Sequence, residues 1–404
     1  MTSSILVLNA GSSSLKFGLF RALGGSGAGV EATAHGAVDD LEETPHFRAF
    51  DQDGSVLADR TWPPGQRDGF DTILAALLAF ADAHLGQDGL AAVGHRIVHG
   101  GAAHVGPVLV TPPVMAELEA LIPLDPLHLP HNLAPIHALA AARPDLPQVA
   151  CFDTAFHHTL PPVARRFGLP LALEAAGVRR YGFHGLSYEY IAGELARQRP
   201  DLAHGRVIVA HLGSGASLCA LADGRSIATT MGLTPLDGLV MATRCGSLDP
   251  GVLLYLGRQG HSFADIEDML YHRSGLLGVS GISADIRDLL ASDDKRAQDA
   301  IELFTYRIAT EIGGLVSALG GLDGLVFTAG IGEHAPAVRA AVCARLAWLG
   351  IRLDDAANFA GAALISLPGS AVEVRVMATG EEAMIARHTL TTLGRGRPVA
   401  AGAV

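Results

Sequence analysis

The chain reads as an α/β protein made of two related halves, and three observations predict this. Short apolar runs bounded by turn residues recur along it and alternate with helix-period segments. The run Ile5-Leu6-Val7-Leu8 breaks into Asn9-Ala10-Gly11-Ser12-Ser13-Ser14. Much later, Val207-Ile208-Val209-Ala210 breaks into His211-Leu212-Gly213-Ser214-Gly215 in the same way. Each Gly/Ser turn leads into another strand. Leu15, Phe17 and Leu19 alternate with Lys16 and Gly18, and Leu218-Cys219-Ala220-Leu221 runs to the hairpin signal Asp223-Gly224. At 404 residues the chain is long enough for two domains with separate cores.

In chain order, the apolar runs 5–8, 148–152, 207–210, 325–328 and 372–377 read as buried central strands. Phe70, Ile73, Leu74, Leu77, Leu78, Ala81 and Leu85 recur at helical spacing, and Gly86 closes that helix. Thr111-Pro112-Pro113 opens a second helix over 114–121, with proline in its first turn. A long periodic stretch over 299–319 ends at Gly320-Gly321. The Gly/Arg/Pro-rich tail 394–404 reads as frayed. The half-chain boundary falls just after Phe152.

Composition narrows the function. A formal net charge of −12 argues against nucleic acid as a main partner, while leaving room for a small anion held by local arginines. Lys16 and Lys295 are the only lysines in an arginine-biased chain, so Lys16 beside a Gly/Ser turn stands out as a compact point charge. Four cysteines are scattered without metal or disulfide spacing, as expected in a reducing cytosol. No apolar run approaches the ~18 residues of a membrane span, and the N-terminus lacks a signal-peptide pattern. A cytoplasmic protein is expected.

Several residues carry candidate chemistry. A tight Gly/Ser turn can present backbone N–H groups to an anion without a helix behind it, although an ordinary polar hairpin has the same sequence. No Gly-Lys-Ser/Thr follows either turn, which excludes a P-loop. Arg96 and Arg244 sit among small and apolar residues, where a guanidinium needs an anion; a ligand carboxylate, a phosphoryl group or a structural ion pair would each satisfy it. Asp153 follows a buried strand, where it can meet a ligand or metal or merely shape a turn. Glu381-Glu382 can hold Mg²⁺ or favour a helix start. The histidine pairs lack a third ligand at zinc spacing. His184 and His211 read as neutral donors to phosphoryl oxygens or as satisfied core histidines. Gly330-Ile331-Gly332-Glu333-His334-Ala335 fits G-x-G-x-x-A, but too little chain follows for a dinucleotide fold, and a Gly-rich turn against one adenosine explains it better.

Further blocks complete a pattern: Gly94-His95-Arg96, Phe152-Asp153-Thr154-Ala155-Phe156-His157, Tyr181-Gly182-Phe183-His184-Gly185, Ser280-Gly281-Ile282-Ser283-Ala284-Asp285-Ile286-Arg287 and Thr328-Ala329-Gly330. In this order they resemble the acetate, propionate and butyrate kinase family of the sugar kinase–actin superfamily, nearly from end to end. The resemblance implies a duplicated βββαβαβα core of ribonuclease H type, an interdomain cleft that closes on substrates, and a homodimer. It divides the chain into residues 1–152 with a returning segment 386–404, and a nucleotide-binding and dimerisation domain over 153–385.

The same resemblance implies ATP + acetate ⇌ ADP + acetyl phosphate with Mg²⁺ or Mn²⁺. Asn9 and Glu381 would set the metal, and Ser12, Ser14 and Lys16 would serve the phosphates. Arg96 would bind the carboxylate, and His184 and Arg244 would stabilise the moving phosphoryl group. Asp153 is the family's catalytic acid. Acetate is already ionised at pH 7 and needs no base, so Asp153 is expected to position Mg²⁺ or its waters. Val98, Leu127, Phe183 and Pro235 would line the methyl pocket, with His128 nearby. His211, Leu212, Gly213, Ser214, Gly215, Asp285, Ile286, Arg287, Gly330, Ile331, Gly332, Glu333 and His334 would surround the nucleotide. Ser214, Ala242, His334, Gly380, Leu186, Tyr188 and Leu129 depart from the family pattern; a histidine is common where Tyr188 stands. A propionate or butyrate kinase and an actin- or chaperone-like nucleotide-binding module are the alternatives.

Overall fold

A computed structural model describes residues 4–396, except residues 12, 24–28, 42, 63–68 and 87–88. The chain divides into two compact units, Met1–Ala155 with Gly380–Val404, and Phe156–Thr379.

The first unit is built on an eight-stranded sheet: β1 (Ser4–Ala10), β2 (Ser14–Ala22), β3 (Val30–Asp39), β4 (His46–Phe50), β5 (Val56–Thr61), β6 (Leu90–Ile97), β7 (Val108–Leu109) and β8 (Gln148–Phe152). Their order is β5-β4-β3-β2-β1-β6-β8-β7. β1 pairs antiparallel with β2 and parallel with β6, and β6 pairs parallel with β8. β1 and β8 are almost wholly buried, as continuous apolar runs in the middle of an α/β sheet should be. Phe17 stacks on Phe47 at 5.6 Å, and both meet Phe80 of the helix Gly69–Leu85 edge-on.

The second unit has five strands: β9 (Arg206–Leu212), β10 (Ala216–Ala222), β11 (Arg225–Thr229), β12 (Gly324–Thr328) and β13 (Glu373–Val376). Their order is β11-β10-β9-β12-β13. β9 is antiparallel to β10 and parallel to β12, and β12 is parallel to β13. Strand for strand this repeats β3-β2-β1-β6-β8 of the first unit, in order and direction. The duplication expected from the two turns is therefore present in topology, with β4, β5 and β7 as additions to the first sheet. Tyr188, Ile191, Val207, Val209, Cys219, Leu221 and Val326 form a core on this sheet.

Most elements fall where the sequence places them. The two Gly/Ser turns join β1 to β2 and β9 to β10. Asp223 and Gly224 both have positive φ, as a two-residue hairpin turn requires. The helix begun by Thr111 is Pro112–Glu119, two residues shorter than expected at its end. The long helix is Lys295–Leu319, beginning four residues early because the Asp294 side chain caps it from Arg296 N–H. The G-x-G-x-x-A segment is a short helix, Ala329–His334, placed directly after β12, where a turn was expected. The last helix, Glu381–Gly396, runs into the tail read as frayed; residues 397–404 lie outside the described residues.

Gly94 of β6 shows how that last helix seats. A Cβ there would meet Thr389 Oγ1 at 2.3 Å and Ile385 Cγ2 at 2.7 Å. Only a missing side chain lets the helix lie this close to the sheet, with Ile385, Ala386 and Thr389 fully buried. The contact fixes the helix start, and with it Glu381, beside the end of β6.

Candidate active site

In the first unit the ends of β1, β6 and β8 gather a polar cluster. Arg96 near the end of β6 donates from Nε to both Asp153 oxygens at 3.1 and 3.2 Å, and from Nη2 to Asp153 Oδ2 at 2.5 Å. Its Nη1 donates to Asn9 Oδ1 at 3.2 Å. Glu381 Oε2 lies 3.9 Å from Arg96 Nε. Burial opposes the guanidinium charge, but the carboxylates of Asp153 and Glu381 outweigh it and raise the Arg96 pKa. Asp153 is fully buried, and its carboxylate accepts from Arg96. The neighbouring Glu382 carboxyl is pushed up by burial and by Glu381, with Lys16 working against the rise. Lys16 is paired across the hairpin with Asn9 and is exposed.

Asn132 ties this cluster to the backbone. Its Oδ1 accepts from Val98 N–H at 2.8 Å and its Nδ2 donates to Ala10 C=O at 2.7 Å, joining the ends of β6 and β1. His128 Nδ1 lies 2.7 Å from the buried Asp125 carboxylate. Leu127 is half-buried nearby in sequence, and Leu129 is fully buried in the helix Leu129–Ala142. Ser14 is half-buried; Ser12 lies outside the described residues.

The donors of this cluster fit magnesium. Asn9, Asp153, Glu381 and Glu382 offer hard oxygen atoms, and the repulsion by which Glu381 helps to raise the Glu382 pKa would be relieved by a divalent cation. No group of three His, Cys, Asp or Glu forms a cage among the described residues. Mg²⁺ commonly takes one or two carboxylates plus substrate phosphates, so no cage is needed.

The second unit carries a different arrangement. Gly182, at φ +79, turns the chain against His157 and Thr229, where a Cβ would meet carbons at 2.6 and 2.7 Å. Phe183 and His184 follow, and His184 takes the left-handed conformation at φ +58 just before the helix Gly185–Gln198. Such backbone strain in a non-glycine residue collects at functional sites. His184 Nδ1 lies 2.8 Å from Ser217 Oγ on β10. His211 on β9 faces Ser217 in the sheet register, and its ring stacks on that of His184 at 4.1 Å and 16°. A Cβ on Gly215 would stand 3.3 Å from His184 Nε2 and 3.8 Å from Arg244 Nη1. That imidazole edge and that guanidinium thus converge on the second Gly/Ser turn. Arg244 Nη1 also donates to Pro235 C=O at 3.1 Å, and Ala242 N–H to Ser214 C=O at 3.1 Å, which ties the Arg244 loop to the turn.

Beside this point opens a cavity of about 640 Å³. Of the expected nucleotide residues, Gly213, Ser214, Asp285, Ile286, Arg287, Gly330, Ile331 and His334 line it. Its walls are mostly apolar, in a volume range typical of ligand sites. Asp285 caps the short helix Ile286–Leu290 and pairs with Arg287, whose hydrogen bond holds the Asp285 pKa down at about 2. Gly332 and Glu333 are placed differently. Gly332 is buried against Phe327 and Ala210 backbone, and Glu333 Oε1 accepts from Ala329 N–H at 2.8 Å and Thr379 N–H at 3.2 Å. Glu333 thereby holds Ala329 at φ +65. Leu212 is a fully buried strand residue.

The sequence reading missed several parts. Ala242, Ala284, Leu290 and Ala335 complete the cavity wall; the first, second and fourth stood in segments the sequence singled out, but no lining role was read for any of them. Ser217, Ser187, Tyr188 and Thr379 hydrogen-bond into the histidine pair or to one another, and Ser217 was legible only as the serine directly across the hairpin from His211. Arg339, almost fully buried, donates to Gly332, Glu333 and Asn358 and secures the end of the helix Ala329–His334.

A duplicated α/β fold with a Gly/Ser turn, an arginine and an apolar cavity beside them defines a phosphotransferase of the actin-like ATPase and sugar kinase type. The sequence profile of the Acetokinase family matches residues 4–387, and the chain belongs to that family. It is 55% identical to an acetate kinase of Rhodopseudomonas palustris, over 98% of this chain and all of that protein. The crystal structure of a propionate kinase from Francisella tularensis superposes with a TM-score of 0.88 at 36% identity, covering 96% of this chain and 98% of that one. The Porphyromonas gingivalis acetate kinase structure gives 0.84 at 36% identity, covering 97% of this chain and all of that one.

Proposed function

We propose that the protein transfers a phosphoryl group reversibly between ATP and acetate, giving ADP and acetyl phosphate. The observation that carries the reading is the convergence of His184 Nε2 and Arg244 Nη1 on Gly215, next to a cavity lined by most of the residues expected around a nucleotide. In the forward direction an acetate oxygen attacks the γ-phosphorus in line, the bond to the β–γ bridging oxygen breaks, and ADP leaves with that electron pair. No proton moves, because acetate is already an anion. What the protein must supply is alignment and positive charge around the equatorial oxygens. Arg244 and a neutral His184 donate there. Arg96 holds the acetate carboxylate, and Asp153 keeps the guanidinium oriented and takes no proton. Mg²⁺, held through Asn9, Glu381 and Asp153 or their waters, neutralises phosphate charge when bound. Lys16 and the serines of the first turn serve the same phosphates.

On this reading the first unit handles acetate and the second the nucleotide. Val98 and Leu127, with His128, are the first unit's candidates for meeting the methyl group, and Phe183 and Pro235 are the second unit's. The second unit also makes a homodimer: the helix Pro250–Arg258 has no buried residue and leaves Leu254 and Tyr255 about 60% exposed. The protein works in the cytoplasm on small anions and not on nucleic acid. No helix among the described residues is long and apolar enough to cross a membrane.

The test is hydroxylamine trapping with a panel of acids and nucleotides. Acetyl hydroxamate should form with ATP and Mg²⁺. Propionate should be a poorer acceptor by roughly 1–3 kcal/mol in kcat/KM, the usual worth of one methylene in a tight pocket. ATP binding without any hydroxamate would point to an actin- or chaperone-like module, and a preference for propionate or butyrate would reassign the acid.

A further inference from the structure

Each imidazole of the stacked pair ends a chain of hydroxyl groups. His184 Nδ1 lies 2.8 Å from Ser217 Oγ, which lies 2.5 Å from Tyr188 OH. His211 Nδ1 lies 2.8 Å from Ser187 Oγ, which accepts from Thr379 Oγ1 at 2.8 Å. Ser187, Ser217 and Tyr188 are fully buried. Tyr188 also packs edge-on against His157 and His211, so its ring is fixed from two sides.

We propose that Tyr188 and Ser217 are positioning residues that lock His184 as the neutral Nε2–H tautomer, with the proton aimed at the phosphoryl group at Gly215. The inference rests on the phosphotransferase reading and names how that site is kept ready. The direction of the chain follows from acidity. A phenol is a far better donor and a poorer acceptor than an aliphatic alcohol, so Tyr188 donates to Ser217 Oγ. The serine proton then turns to His184 Nδ1, which becomes the acceptor. The ring's one remaining proton lies on Nε2, the edge that faces Gly215 and Arg244. Thr379 and Ser187 impose the same tautomer on His211. Two imidazolium rings cannot share a face-to-face spacing of 4.1 Å without strong like-charge repulsion, which favours the neutral pair. A neutral donor costs less to bury than a cation and needs no counter-ion.

Tyr188→Phe keeps the ring and removes only the phenol proton, and Ser217→Ala cuts the chain at its middle. Nitrogen-15 NMR of the intact wild-type protein should show His184 protonated at Nε2 and bare at Nδ1, and Tyr188→Phe should introduce the Nδ1–H form. In hydroxamate assays kcat should fall about 10–100-fold in either variant, the usual effect of removing an orienting partner, with KM for ATP and acetate within about twofold. Ser217→Thr, which restores the hydroxyl, should recover most of the loss. A wild-type His184 carrying its proton on Nδ1, or Tyr188→Phe with unaltered kcat and tautomer, would overturn the proposal. A wild-type protein that makes no acyl phosphate yet shows the Nε2–H tautomer would sink the kinase reading and leave the relay standing.

Discussion

The two units share one strand topology but orient their key side chains by opposite means. In the first, a charged group is held by charge: Arg96 makes four hydrogen bonds to Asp153 and Asn9 beside two further acids. In the second, two imidazole rings meet neutral hydroxyls, and the nearby cation Arg244 donates to the Pro235 carbonyl oxygen. The difference matches the cargo proposed for each. Acetate brings a full negative charge to the site, so a permanently charged partner suits its binding. The phosphoryl group changes its charge distribution as it moves, and pre-aimed dipoles respond without reorganisation. A duplicated scaffold therefore fixes where the strand ends lie, while the residue heading each turn, Asn9 or His211, fixes the chemistry.

That contrast can be broken in order of expected size. Arg96→Ala and Arg244→Ala should each lose on the order of 10²–10⁴ in kcat, the scale of removing an electrostatic stabiliser. Near-normal turnover in either variant would remove that arginine from the mechanism. Acid should strain both units alike. Burial depresses His95 in the first unit and His157 in the second to a pKa of about 4, from an ordinary 6.5. The unfolded chain then takes up protons that the folded one refuses. Stability is full above pH 6.5 and falls as pH drops towards 4, on the order of 3 kcal/mol for each histidine. Urea midpoints measured from pH 7.5 to 4 should show it; a flat profile would mean these rings are hydrated.

Asp153→Asn sharpens the comparison further. It strips the charge that holds Arg96 and should cost up to about 3 kcal/mol of stability, the low end for breaking a buried pair because Arg96 is partly exposed. Activity should fall through a raised acetate KM together with a raised Mg²⁺ requirement, and normal values of both would remove Asp153 from the site. An effect on ATP affinity alone would place Asp153 with the nucleotide. Gly94→Ala should cost roughly 1–3 kcal/mol by overpacking against Thr389 and Ile385. It should raise the Mg²⁺ concentration needed for half-maximal activity by moving Glu381, and a silent substitution would show that the helix yields freely.

The fold was largely legible because its signals are local. A buried run, a Gly/Ser turn and a second alternating run specify a hairpin by themselves, and both copies formed one. The individual site residues were legible by type, since a guanidinium or carboxylate at a strand end asks for a partner. Their pairing was not. Arg96 lies on β6 and Asp153 just past the end of the adjacent β8, far apart in sequence, and either could have bonded elsewhere. The hydroxyl chains were least legible of all. Thr379 and Ser187 are 192 residues apart and meet only after the sheet has assembled, and serine and threonine occur everywhere in the chain. Glu333 has a role the sequence did not show: its carboxylate accepts from the strained Ala329 amide.

The helix Glu381–Gly396 is encoded after the whole of the second unit, yet it closes the sheet of the first. During synthesis, β1, β6 and β8 must wait with one apolar face uncovered until Ile385 and Ala386 leave the ribosome. The second unit can mature while the first is still open. Chain order is thus reversed in folding order: the half that is translated first is the half that is finished last.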